Sequence, residues 1–147
     1  MKNPHEIREL ADKRLKEAKL LLTENHCEGA LYLAGYCIEL LLKAKIAELL
    51  DVQNLFDDSF SPKQFRTPFY IHDLKSLLIF AGLKTKLDKE KAINPLLYNN
   101  WSLIEETWNE HCRYQKSGTY KEKDVEKFII TIEDPTKGIK QWINRQS

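Results

Sequence analysis

Four side chains of one helical segment have the types and the spacing to do chemistry together: Tyr32, Tyr36, Glu39 and Lys43. Steps of four, three and four residues put them on one face of a helix. Glu39 and Lys43 at i,i+4 can form a simple exposed ion pair. Their helix is otherwise nearly all apolar, which places the pair half buried or in a groove. The two tyrosines beside it offer stacking surfaces and hydroxyls. A second cluster is Trp108-Asn109-Glu110-His111-Cys112-Arg113-Tyr114, followed by a Lys116-Ser117-Gly118 loop. Arg113 near a helix C-terminus is favoured by the helix dipole alone. An arginine beside an aromatic residue and a Ser-Gly loop also makes a phosphate-facing surface. His111 is an acid–base candidate near neutral pH, although a lone histidine is more often structural.

Other chemistries find less support. His26-Cys27 and His111-Cys112 are adjacent pairs, so their side chains diverge on a helix and do not chelate as spaced ligand motifs do. No metal and no cofactor is expected. No Walker loop, Gly-rich dinucleotide motif or Ser-His-Asp order stands out. Gly35, alone in mid-helix, suits close packing better than phosphate binding.

These residues must be positioned by helices. The chain has 147 residues, 42% hydrophobic and 31% charged, with only five Gly and five Pro. That composition fits one ordered, helix-rich domain spanning 1–147 rather than a turn-rich β fold. At this length about two thirds of the unfolded surface can be buried without a metal or disulfide. A net charge of +1 provides no global field for nucleic acid or membrane. The three cysteines, Cys27, Cys37 and Cys112, are odd in number and lack a CxxC, as expected in a reducing cytoplasm. No apolar stretch follows the first residues, so no signal peptide is expected. Glu39, Lys43, Lys45 and Glu48 interrupt the most apolar region, so no membrane helix is expected there.

Asn3-Pro4-x-Glu6 reads as a helix start, and Ile7, Ala11, Leu15, Ala18 and Leu22 give that helix one apolar face to about Thr23. A second helix is expected from about Glu28 to Leu50. Its very wide apolar face implies cover on most sides, inside a bundle or between two subunits. The short link makes these two an antiparallel hairpin. Asp51 to Ile71, with Phe56, Phe60, Pro62, Pro68, Phe69 and Tyr70, reads as a long loop packed on the bundle and holding a short helical turn. His72-Asp73-Leu74 opens a third helix that Gly82 ends. Lys84 to Lys91 allows one or two turns. Asn94-Pro95 starts a fourth helix ending near Tyr114. A fifth begins near Tyr120 and kinks or restarts at Asp134-Pro135.

Three stretches carry a family resemblance. Ala30 through Glu39 to Lys43-Ala44 resembles the second helix of HEPN domains. His72-Asp73-Leu74-Lys-Ser-Leu77-Leu78 with Ala81-Gly82-Leu83 resembles their third helix, and Trp108 through Arg113-Tyr114 resembles the Arg-Tyr end of their fourth. The order and spacing agree over about residues 5–145. The resemblance implies an all-α, up-and-down bundle of four to five main helices with a long loop between the second and third. It also implies a homodimer that handles nucleotide or RNA in toxin–antitoxin, defence or RNA-processing systems, and a nucleotidyltransferase-type protein as a partner.

Active members pair an arginine with a histidine a short distance beyond it. Arg113 matches the arginine, but Gly118, Thr119 and Tyr120 fill the histidine's place. Three readings follow. The first is a non-catalytic domain binding nucleotide or RNA through Tyr36, Glu39, Lys43, Arg113 and Tyr114, in a groove between helices two and four. The second is a metal-independent endoribonuclease in which Arg113 works with His72 or His111. The third is a dimeric interaction module whose dimer surface is the apolar face of helix two.

Overall fold

The computed structural model describes residues 3–57 and 63–146. Among the described residues the regular structure is helical, with no strand. Helix α1 (Pro4–Thr23) starts as expected, with Pro4 in its first turn and the Asn3 side chain accepting a hydrogen bond from the Glu6 amide at 2.9 Å. At the turn, Asn25 takes a left-handed conformation, φ 64°, which asparagine tolerates better than most residues. The chain then reverses into α2 (Cys27–Leu49), antiparallel to α1.

Helix α2 is the axle of the fold. Every residue from Cys37 to Ala47 is buried within this one chain. Around it lie α1, α4 (Leu74–Phe80), α7 (Glu122–Glu133), α8 (Ile139–Arg145) and the turn at 110–114. The wide apolar face is therefore used up inside the bundle. This corrects the reading that made it a dimer surface, because no broad apolar strip of α2 is left to meet a second copy.

Between α2 and α4 the chain carries turns, a short α3 (Lys63–Arg66) and a single 3-10 turn at Thr67–Phe69. Leu55 and Phe56 are buried, and the Tyr70 hydroxyl donates to the Phe56 carbonyl at 3.1 Å, so this segment packs on the bundle as its aromatics imply. Phe60 and Pro62 lie outside the described residues. Asp73 caps α4, its side chain accepting from the Ser76 amide at 3.2 Å. Gly82 then takes a left-handed φ of 71°. The charged stretch forms a full ten-residue α5 (Lys84–Ile93), and Asn94-Pro95 opens α6 (Pro95–Thr107).

Helix α6 stops at Thr107, well short of Tyr114. Trp108 is extended, and the Asn109 side chain accepts from the His111 amide at 2.8 Å to cap a separate 3-10 turn, Glu110–Tyr114. The apolar spacing through Trp108 and Cys112 hides this break, because both residues stay buried after it. Helix α7 begins at Glu122, near Tyr120 as expected. After Glu133 the Asp134 side chain accepts from the Thr136 and Lys137 amides, and α8 restarts at Ile139. No helix among the described residues is long and apolar enough to cross a membrane.

Candidate functional site

The polar stripe of α2 meets the 110–114 turn and the residue before α4, and there the candidate residues divide into two groups. The first is an aromatic and cationic platform. Tyr32 and Tyr36 stack with ring centres 5.9 Å apart, and Trp108 stacks on Tyr32 at 6.1 Å. The Trp108 Nε1–H donates to the Tyr32 carbonyl at 3.0 Å. A Cβ on Gly35 would sit 2.1 Å from Trp108 Cδ1, so only glycine lets this indole approach α2. The exposed Arg113 guanidinium lies 5.5 Å from the Tyr32 ring centre and 4.7 Å from that of Tyr114. Its Nη1 donates to the Tyr32 hydroxyl at 3.4 Å. Burial, then the nearby Glu39 and Tyr32, push the Tyr36 hydroxyl above the usual phenol range, so Tyr36 stays protonated.

The second group is a chain of charges running inward. Glu39 is fully buried and accepts from Lys43 Nζ at 2.8 Å. The ammonium also lies 5.7 Å from the centre of the Phe56 ring. His72 Nδ1 lies 2.9 and 3.1 Å from the two Glu39 oxygens. An ionised carboxylate only accepts, so Nδ1 carries the proton. On the other edge of the ring, His72 Nε2 lies 3.4 Å from Glu110 Oε2. His111 is exposed and meets Glu110 at 3.8 Å. Its neighbour Cys112 points into the core, so this pair does diverge as expected.

Three placements correct the sequence reading. Glu39 and Lys43 line no groove: they are enclosed, with side chains 1% and 6% exposed. The surface that carries Tyr36, Arg113 and Tyr114 lies between α2 and the 110–114 turn rather than between α2 and α6. His111 pairs with Glu110 rather than with a residue of the stripe.

Two participants were missed. Glu110 lies within the 108–114 cluster and pairs with His72. Glu28, four residues before Tyr32, continues the same stripe, and that spacing was a signal for it. Its carboxylate accepts from the Thr119 amide at 3.0 Å. Desolvation pushes Glu28 up, but hydrogen bonds from its own amide and from the amides of Tyr120, Gly118 and Thr119 outweigh it and hold it below the usual carboxylate range. A depressed folded-state pKa gives stability that is present above the ordinary carboxylate range and lost as pH falls through the folded value. The 118–120 loop is therefore expected to lose its amide protection first as the protein is acidified. Hydrogen exchange at Thr119, corrected for its intrinsic pH dependence, checks this. Unchanged protection in Glu28→Gln would contradict it.

A cavity of about 610 Å³ lies at the other end of α2, among Arg8, Lys45, Glu48, Leu49, Gly82 and Lys86, and holds none of these site residues. Among the described residues, no three His, Cys, Asp or Glu side chains converge as a metal site requires.

The fold and site define an all-helical bundle built on an α1–α2 hairpin, with an arginine–tyrosine platform on its surface. The model of the HEPN domain matches residues 5–53, a third of the chain that takes in this hairpin. The likenesses at His72 and Arg113 lie outside the matched residues. No curated protein and no solved structure matches the chain.

Proposed function

We propose that this protein is a HEPN-like domain that binds a nucleotide or single-stranded RNA on the Arg113 platform without cleaving it. The observation that carries the reading is the exposed Arg113 guanidinium held against Tyr32 and Tyr114, with Tyr36 stacked alongside. Guanidinium suits a phosphodiester, and aromatic faces suit any base. The near-zero net charge fits a local site better than broad non-specific binding. Arg113→Ala is expected to weaken binding of a short RNA about tenfold or more, measured by fluorescence anisotropy at fixed salt. Equal affinity in the two proteins would overturn the reading. The family resemblance further supports a homodimer with its two Arg113 clusters facing each other, and work beside a nucleotidyltransferase-type partner in a toxin–antitoxin or defence system.

The Glu39–His72 pair favours a second reading, an endoribonuclease. Glu39 fixes the proton on Nδ1 and leaves Nε2 as the acceptor a general base needs. RNA cleavage in EDTA that is lost in His72→Gln and in Arg113→Ala would establish it. No cleavage by the native protein would leave the binding reading in place.

A further inference from the structure

His72 stands between two carboxylates, one on each side of its ring. Nδ1 faces the buried Glu39, and Nε2 faces Glu110 at the surface. Glu110 opens the turn that carries Arg113. Lys43 already neutralises Glu39 from within α2. Tyr36, also on α2, keeps its proton. His111 lies 3.8 Å from Glu110, and Arg113 is in the same turn. Asp73, next in the chain, is engaged with Ser76.

We propose that His72 is a protonation-dependent latch on the RNA-binding turn. This rests on the reading that the Arg113 platform takes RNA. With both ring nitrogens protonated, the imidazolium donates to Glu39 and pairs with Glu110 at once. The ring then ties the 110–114 turn to the core and cancels the Glu110 charge beside the platform. With one proton lost, the remaining N–H stays on Glu39, the closer acceptor. The Nε2 lone pair then faces the Glu110 carboxylate, two acceptors with no hydrogen between them. That contact becomes repulsive, the turn is untied, and a free carboxylate stands near the phosphate site. Both consequences weaken binding of a polyanion. Imidazole is the side chain whose ordinary charge change falls between about pH 5 and 8, which sets the two pH values of the test.

The probe is a short oligouridylate with 2′-O-methyl groups and no terminal phosphate. It cannot be cleaved through a 2′-hydroxyl, and its phosphodiesters do not titrate in this range. Anisotropy titrations at constant salt are run at about pH 5.5 and about pH 8. The native protein is expected to lose about tenfold in affinity between the two. Glu110→Gln, a change at the surface, is expected to bind at both pH values about as tightly as the native protein does in acid. His111→Gln is expected to keep the native decline. Native binding that does not change with pH would overturn the latch while leaving the platform reading intact. So would a Glu110→Gln protein that still weakens as pH rises, or a decline that disappears in His111→Gln. No binding by the native protein at either pH would overturn the platform reading itself.

Discussion

Glu39→Leu is expected to cost about 3–5 kcal/mol of folding stability. The substitution removes the carboxylate but leaves the Lys43 ammonium buried, 6% exposed, beneath the Phe56 ring. His72 Nδ1 loses its acceptor in the same step. The cost is that of an unpaired buried charge, and it does not measure the worth of the ion pair. Replacing both partners with apolar residues of similar volume is often neutral or stabilising. Glu39→Leu combined with Lys43→Met is therefore expected to regain most of the loss. Urea denaturation of the three proteins checks this. A single variant that loses less than about 1 kcal/mol, or a double variant as unstable as the single one, would show that water reaches the pair.

Trp108→Ala is expected to cost a similar amount, about 3–5 kcal/mol. The indole is buried against Gly35, stacks on Tyr32 and donates to the Tyr32 carbonyl. Its loss leaves a cavity beside the ring that also supports Arg113. RNA affinity is expected to fall along with stability. Gly35→Ala attacks the same contact from the other side, since the new Cβ cannot coexist with the indole where it lies. Overpacking of this kind typically costs about 1–3 kcal/mol. Thermal denaturation gives the stabilities, and near-ultraviolet circular dichroism reports whether the indole has moved. A Gly35→Ala protein with native stability and a native aromatic spectrum would contradict the packing described.

The helical class and the hairpin were legible because they rest on local signals. Asn3-Pro4 and Asn94-Pro95 cap their helices as the residues imply, Gly82 takes the left-handed turn, and Gly35 packs closely against an aromatic ring. Positions such as Ile7, Ala11, Leu15 and Ala18 are buried as their spacing requires. The stripe Tyr32, Tyr36, Glu39 and Lys43 was also legible, since i,i+4 geometry follows from spacing alone. Depth was not. Whether Glu39 and Lys43 face a groove or the core depends on what packs over them, and Phe56 and His72 arrive from elsewhere in the chain. The end of α6 was hidden for a related reason. Trp108 and Cys112 satisfy a helical stripe and an extended-then-3-10 path equally well, and only the cap at Asn109 separates the two. The pairing of Glu110 with His72 follows from that unforeseen turn and had no sequence signal of its own.

The central claim is that the Arg113 platform is where this protein takes RNA. Its most direct test is an amide and arginine side-chain NMR map of the full chain, titrated with the same uncleavable oligouridylate. Shifts are expected to cluster at Tyr32, Tyr36, Arg113 and Tyr114, and to vanish in Arg113→Ala at the same RNA concentration. Shifts gathered instead around Arg8, Lys45 and Lys86 at the other end of α2, or a spectrum that RNA leaves unchanged, would contradict it.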